Sequence, residues 1–400
     1  MLKAVIMAGG KGERFWPQSR INMPKQCLKI LNHKSMVEIT VDRLSPLLEN
    51  KDIYVSTGKH LASILKNLLP DVKFAIEPMA KNTAACIGLS AIKVMEDDPD
   101  AIMFIETTDH IYKDEDLYIK HIKAAEKMAE QDNIVLIGIK PTHPHTGFGY
   151  IHQGELLKTI DGVYIYQLKE FKEKPNLITA KRFLESGDYL WNSGMFIAKV
   201  SVMLETMKKH MPELYEALMK IKQSCFSEKV LREEFEKLES ISIDYGIMEK
   251  AENTVVVRGE MHWDDIGDWD AMERVHRKDT NGNVINALFE GSASNCIIFG
   301  DTNRTIKAEN IDNIIIVDTK DSLLVCKKKE SQKAKDAVQK IIGKNPALFR
   351  DYTNNPQKLW ININSNNCTV KGDYVIATID VENLSIEKKE DEIIIKKVDL

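Results

Sequence analysis

The chain has 400 residues, 43% hydrophobic and 29% charged, with 55 Lys and Arg against 60 Asp and Glu for a formal net charge of −5. This length exceeds one typical domain, and the apolar share supports a sizeable core. The near balance of charge excludes a protein held on nucleic acid by a bulk positive field. Six cysteines scattered without a CxxC pair exclude a zinc knuckle or a disulfide scaffold and point to reduced, buried thiols in a cytoplasmic chain. The apolar opening is too short for a signal peptide, and no later run reaches membrane-spanning length.

In chain order, residues 4–7 read as a strand. Residues 35–48 read as a helix, with Ser35 as N-cap, Glu38 three positions on and Pro46 near its end. Strands are expected at 52–56, 73–76, 101–105 and 134–138, with helix-length stretches at 59–68, 83–96 and 118–130 between them. The strands are continuous apolar runs, and their alternation with helices predicts an α/β fold, a Rossmann-like, mostly parallel sheet flanked by helices. Such sheets bind ligands beyond the carboxyl ends of their strands. From Gly147 to Arg277 the pattern is mixed. Strands at 164–169 and 195–199 interleave with helices at 178–186, 202–209 and 228–238, and no linker separates them from the first half. The turn cluster Thr280-Asn281-Gly282-Asn283 marks a boundary. Beyond it come β-like runs at 295–299, 313–318 and 322–327 and an amphipathic helix at 330–342. The expected division is therefore 1–280, a smaller β-rich domain at 281–345 closed by that helix, and a β-like extension at 346–400. The role of the extension is open on sequence, with homo-oligomer contacts the one suggestion. The mixed-charge segment 387–392 reads as a solvated turn, and no internal repeat stands out.

The first strand runs into Ala8-Gly9-Gly10-Lys11-Gly12-Glu13-Arg14. Glycines let the backbone approach a ligand and turn amides into one concavity suited to phosphate, while Lys11 and Arg14 add positive charge. Neither a Walker A loop nor a dinucleotide fingerprint is matched. A tight turn with incidental charge reads these residues equally well. Lys25, in Pro24-Lys25-Gln26, lies one short loop away and could meet the same phosphates; an exposed lysine beside a turn proline is the commoner case.

The stretch Gly9 to Arg14 continues as Phe15-Trp16-Pro17-Gln18-Ser19-Arg20, then Pro24-Lys25-Gln26. It resembles the signature of the sugar-1-phosphate nucleotidyltransferases. Its Trp-Pro-x-Ser-Arg and Pro-Lys-Gln parts resemble the mannose/GTP branch. Glu13 departs from the pattern, where the family commonly has threonine.

Downstream, Ile105-Glu106-Thr107-Thr108-Asp109-His110 ends a buried strand, where an aspartate suits a magnesium ion. Trp263-Asp264-Asp265-Ile266-Gly267-Asp268-Trp269 offers a second carboxylate. By themselves Asp109 also reads as an N-cap and Asp268 as a helix-capping Asx-turn. The resemblance implies Asp109 and Asp265 as the ligands of Mg2+, and Arg14 and Lys25 as catalytic groups beside them. It implies nucleotide binding by Gly9, Gly10, Lys11 and Gly12, and base reading by Glu77, Asn82 and Thr83. Asn82 also reads as a helix cap. Sugar-phosphate binding is implied for Gly147, Glu173, Lys174 and Asn192. Ser242 to Lys250 resembles a family segment that packs and makes some substrate contact, with no catalytic role assigned. His143-Pro144-His145 reads as loop histidines.

The implied reaction is transfer of GMP from GTP to mannose 1-phosphate with release of pyrophosphate, assisted by Mg2+ and without a covalent intermediate. The alternatives are another sugar 1-phosphate or NTP, and a non-catalytic sugar-nucleotide-binding regulator. A nicotinamide-dependent oxidoreductase is disfavoured by the missing third glycine. No nucleic-acid or membrane partner is expected. Some family members carry a fused, histidine-dependent isomerase domain; the last histidine here is His276, so none is expected.

Overall fold

The structure, a computed structural model, describes residues 1–300, 304–353, 358–389 and 391–398. The chain forms two compact units, Met1–Gly9 with Val37–Asp264, and Gly10–Met36 with Asp265–Leu400. These bounds differ from the 1–280, 281–345 and 346–400 division expected from sequence.

The first unit is built on strands β1 (Leu2–Met7), β2 (Ile53–Gly58), β3 (Lys73–Glu77), β4 (Ile102–Thr107), β5 (His110–Tyr112), β6 (Ile134–Ile139), β7 (Tyr150–Ile160), β8 (Val163–Lys172), β9 (Tyr189–Lys199), β10 (Thr254–Gly259) and β11 (Trp263–Asp265). Nine of them form one sheet in the order β3-β2-β1-β4-β9-β6-β10-β8-β7. The first four are mutually parallel, β9 runs antiparallel between β4 and β6, and β6 and β10 are parallel. Burial on both faces explains why β1, β4 and β6 read as unbroken apolar runs. The helix Asn82–Asp97 is buried along most of its length, and small residues, Ala84, Ala85, Gly88 and Ala91, are among its buried positions. At Gly88 a Cβ would fall 2.6 Å from Leu218 Cδ1, so glycine there sets how near the helix Pro212–Gln223 can come. The result places the ends of β1, β3 and β4 at the sheet's carboxyl edge. β5 and β11 form a separate two-stranded ribbon just past β4.

The second unit holds β12 (Val284–Asn286), β13 (Leu288–Ser294), β14 (Ile297–Gly300), β15 (Thr305–Asp312), β16 (Ile314–Asp318), β17 (Ser322–Lys327), β18 (Leu359–Ile363), β19 (Thr369–Lys371), β20 (Val375–Ile379), β21 (Leu384–Lys388) and β22 (Glu392–Lys397). They form a six-stranded sheet, β12-β14-β16-β17-β20-β18, and a five-stranded sheet, β13-β15-β22-β21-β19. Ile298, Ile306, Ile316, Val325, Ile386 and Ile395 belong to their shared core. Strands from residues 359–397 continue both sheets beside strands from 284–327, β20 next to β17 and β22 next to β15, so the tail completes this β-structure. The helix Ala334–Lys344 buries Ala334, Ala337, Val338 and Ile341, the spacing of one helical face.

Three local expectations are corrected. The helix predicted over 35–48 is Met36–Leu44, because Pro46 disfavours helical geometry at Ser45 and the chain turns there. The 387–392 segment is a solvated turn only in part: Lys389 and Asp391 are exposed between β21 and β22, but Lys388 ends β21 with its side chain fully buried and ion-paired to Asp318. Strand alternation puts Leu384, Ile386 and Lys388 on one inward face, and only a buried counter-charge makes a lysine tolerable there. Of the free cysteines, Cys225 is exposed and Cys368 half-buried.

Candidate active site

The site begins where β4 ends. Glu106 is fully buried and accepts from Arg43 Nη1 at 2.9 Å and from the Tyr118 hydroxyl, while Arg43 Nη2 donates to the His110 carbonyl at 3.0 Å. This charged network fixes the two-residue turn, Thr108-Asp109, between β4 and β5. On the ribbon, Lys113 N–H donates to the His262 carbonyl and the rings of His110 and Trp263 lie 5.0 Å apart. Within the first unit Asp109 and His110 each offer one ligand atom, and these lie within 4.8 Å of one another; Asp265 opens the later segment of the second unit. Two carboxylates suit a hard divalent cation such as magnesium, which leaves its remaining positions to water and phosphate. The imidazole was not among the ligands expected from sequence.

Within the second unit, Gly12 sits in the left-handed region at φ 63 and opens the single 3-10 turn Glu13–Phe15. A Cβ there would fall 2.7 Å from both the Cβ and the backbone nitrogen of Lys25, so glycine lets Lys25 lie directly against the loop. Arg14 is exposed, and its Nη1 and Asp265 Oδ2 both border Gly267, at 3.9 and 3.7 Å from where a Cβ would stand. Glu13 accepts from Gln339 Nε2 at 3.2 Å, which turns its charge toward the helix Ala334–Lys344. Arg20 of the signature is fully buried, donates to Asp321 Oδ1 at 2.8 Å, and lies over the Tyr352 ring. It fastens the loop to the β16–β17 hairpin. Asp268 accepts from the Asp270 amide as the cap of the turn Trp269–Ala271.

In the first unit, Glu173, Lys174 and Asn192 come together. Lys174 Nζ lies 2.8 Å from Glu173 Oε1, and a Cβ on Gly149 would fall 2.5 Å from Glu173 Oε2 and 3.2 Å from Asn192 Cβ. The Asn192 amide N–H also donates to the Gly149 carbonyl at 2.8 Å. Gly149, not Gly147, is thus the glycine against these residues; Gly147 is exposed and donates to His145 Nδ1 at 3.1 Å. Asn192 Nδ2 donates to Asp244 Oδ1 at 3.0 Å, and burial, reinforced by the Glu173 charge, pushes the Asp244 carboxyl up to about 6. From sequence the Ser242–Lys250 segment was given packing and some substrate contact, but nothing in it singled out Asp244. His143 and His145 pack on the rings of Trp191 and Phe148.

Glu77 ends β3 buried, and its Oε1 has no hydrogen-bond partner. Burial pushes its carboxyl up to about 7, against a weaker opposing effect from the Cys86 thiol. Asn82, at φ 66, turns its Oδ1 onto the Thr83 amide at 2.8 Å, and Thr83 Oγ1 accepts from Ile243 N–H at 2.8 Å.

The turn that follows β4 at the carboxyl edge of this mixed α/β sheet carries Asp109, the position where such sheets present ligands. The chain belongs to the nucleotidyl transferase family, whose pattern matches residues 3–282. It is similar to a mannose-1-phosphate guanylyltransferase of Salmonella montevideo, 36% identical over 352 residues that cover 85% of this chain and 74% of that one. A mannose-1-phosphate guanylyltransferase of Klebsiella pneumoniae is 34% identical over 348 residues, with the same shares covered. The crystal structure of a protein from Thermus thermophilus, described as a mannose-1-phosphate geranyltransferase, superposes with a TM-score of 0.77 at 29% identity. The match covers 85% of this chain and 99% of that one. Among the described residues no helix is long and apolar enough to cross a membrane.

Proposed function

We propose that the chain transfers GMP from GTP to α-D-mannose 1-phosphate, releasing pyrophosphate. The observation that supports this most is the cluster of Glu173, Lys174 and Asn192 within the first unit, where Lys174 Nζ lies 2.8 Å from Glu173 Oε1 and both Glu173 and Asn192 close on Gly149. Asp109 and Asp265 would hold Mg2+, which when bound neutralises charge on the phosphates. Every other role belongs to the chain itself. The sugar phosphate is ionised near neutral pH, so the attacking oxygen needs no general base and no covalent intermediate. The protein's work is alignment and electrostatic stabilisation. The amides of Gly9, Gly10 and Gly12, with Lys11, Arg14 and Lys25, bind the triphosphate and stabilise the leaving pyrophosphate. The Glu77 carboxylate accepts from the N–H edge of guanine, with Asn82 and Thr83 shaping the segment beside it. Glu173 and Asn192 bind sugar hydroxyls, Lys174 meets the sugar phosphate, and Asp244 holds the Asn192 amide so that its oxygen faces the Gly194 N–H.

The test is a panel of the four common NTPs against mannose 1-phosphate and glucose 1-phosphate, with pyrophosphate release and sugar-nucleotide formation measured together. GTP with mannose 1-phosphate should give the highest kcat/KM, with sequential kinetics. Ping-pong kinetics would remove the direct-transfer mechanism, and a preference for another pair would remove the substrate assignment.

A further inference from the structure

The second unit contains an internal duplication hidden at the level of sequence. Thr305 pairs with Glu392 along the parallel β15–β22 ladder. Val375, 70 positions after Thr305, pairs with Ser322, 70 positions before Glu392, along the parallel β17–β20 ladder. The antiparallel hairpins repeat the same offset, Ile314↔Lys327 and Leu384↔Lys397. Asn313 and Asn383 both stand in the left-handed region, at φ 56 and 54, and Asn310 and Asp380 do likewise at 55 and 50. Even side-chain bonds recur: Asn295 Nδ2 donates to Asn313 Oδ1, and Asn367 Nδ2 to Asn383 Oδ1. The core is made of matched pairs, among them Ile306 with Ile376, Ile316 with Ile386 and Val325 with Ile395.

The two repeats exchange sheets. β15 lies in the five-stranded sheet and its counterpart β20 in the six-stranded one; β17 and β22 are exchanged the opposite way. Each repeat therefore gives the other the same two edges in the same register, which is the reciprocity of a two-fold, isologous interface. On such an axis, equivalent positions must meet. They do: Lys388 pairs with Asp318, 70 positions before it, and the Arg304 guanidinium lies 5.5 Å from the ring of Tyr374, 70 positions after it. Asp318 Oδ2 also accepts from Arg304 Nη1 at 2.8 Å. Two identical repeats would instead bring Asp318 against a second buried aspartate, which is strongly unfavourable.

We propose that the first repeat, residues 305–327, presents a self-recognition surface whose partner is the second repeat, residues 375–397. That partner is supplied in cis by the same chain, or reciprocally by a second copy of it. The acid–base pair on the axis makes the first repeat select the second over another first repeat.

The test uses two full-length variants. Asp318→Lys sets two lysines and Arg304 together in cis, and Lys388→Asp sets two aspartates together. Each alone loses its internal docking. Mixed, the Lys388 of one meets the Asp318 of the other, and the two substituted positions form the same pair with the charges reversed. Unfolded together in equimolar amounts and refolded, the two should give a 1:1 species with twice the wild-type mass by sedimentation equilibrium, which neither forms alone. Recovery of two separate species of wild-type mass overturns the proposal, and so does failure to refold both apart and together. Hydrogen exchange on the wild-type chain gives a second reading. Amides in the β15–β22 and β17–β20 ladders should share one opening constant, because undocking breaks both; constants differing by more than about tenfold overturn the docked-module account.

Discussion

Replacing Gly149 with alanine tests the sugar-phosphate cluster at its tightest point. The added Cβ would stand 2.5 Å from Glu173 Oε2, 3.1 Å from Phe171 Cζ and 3.2 Å from Asn192 Cβ, where an ordinary contact begins at 3.4 Å. Glu173 is the neighbour that can move, because the clash is with the end of its side chain. Its carboxylate must retreat by about 0.9 Å, while Phe171 and Asn192 give by a few tenths of an ångström. Overpacking of this kind costs about 1–3 kcal/mol, a melting shift of several degrees in a unit of this size. The fold should survive. A misplacement near 1 Å at a positioning group costs about 10²-fold in rate, and here it falls on the residue assigned to the sugar. The expected result is a fall of about 10²-fold in kcat/KM for mannose 1-phosphate, with the KM for GTP changed by less than about threefold. Gly147→Ala is the control. Its Cβ would meet the movable ring of His145, so steady-state kinetics should stay within about twofold of wild type. If Gly149→Ala folds and keeps wild-type kcat/KM for the sugar phosphate, Glu173 does not touch the sugar and the cluster is structural.

Other expectations follow from the same geometry. Asp265→Asn should lower turnover by about 10²–10³-fold with the melting temperature kept, and chelation should silence the wild type until magnesium is restored; activity insensitive to chelator would refute the metal assignment. Glu77 gives a pH signature. Its carboxyl is raised from 4.5 to about 7 in the folded chain, so below about pH 7 the protonated form offers guanine a poorer acceptor, and apparent GTP affinity should fall about fivefold between about pH 7 and about pH 6. Because the folded state holds this proton while the unfolded state has lost it, nucleotide-free stability should decline as pH rises across the same window. Glu77→Gln should flatten both profiles, and a wild-type affinity independent of pH there would remove Glu77 from the base. Arg20→Met leaves Asp321 buried beside the Thr353 amide without its cation, a loss of about 3–5 kcal/mol in chemical denaturation; a loss under about 1 kcal/mol would show that Arg20 is no fastener.

Much of the first unit was legible because its physics is local. Apolar runs of strand length alternating with amphipathic runs specify an α/β sheet, and the β1, β2, β3, β4 and β6 segments lie within a residue or two of where composition placed them. The glycine turn and the acidic clusters were legible for a related reason: a tight turn needs glycine, and a phosphate or metal site needs charge, wherever the rest of the chain goes. Tertiary structure decided what depends on which surfaces meet. Gly149, and not Gly147, stands against Asn192 and Glu173, because a strand pairing carries those residues to the first and only a loop ring meets the second. The raised carboxyl of Asp244 comes from burial beside Glu173, a property no spacing encodes. The duplication in the second unit stayed hidden because strands require only alternating apolar residues, so two repeats can keep one register while little more than that pattern survives. Lys388 read as a solvated charge until its counter-charge, seventy residues away, was brought against it.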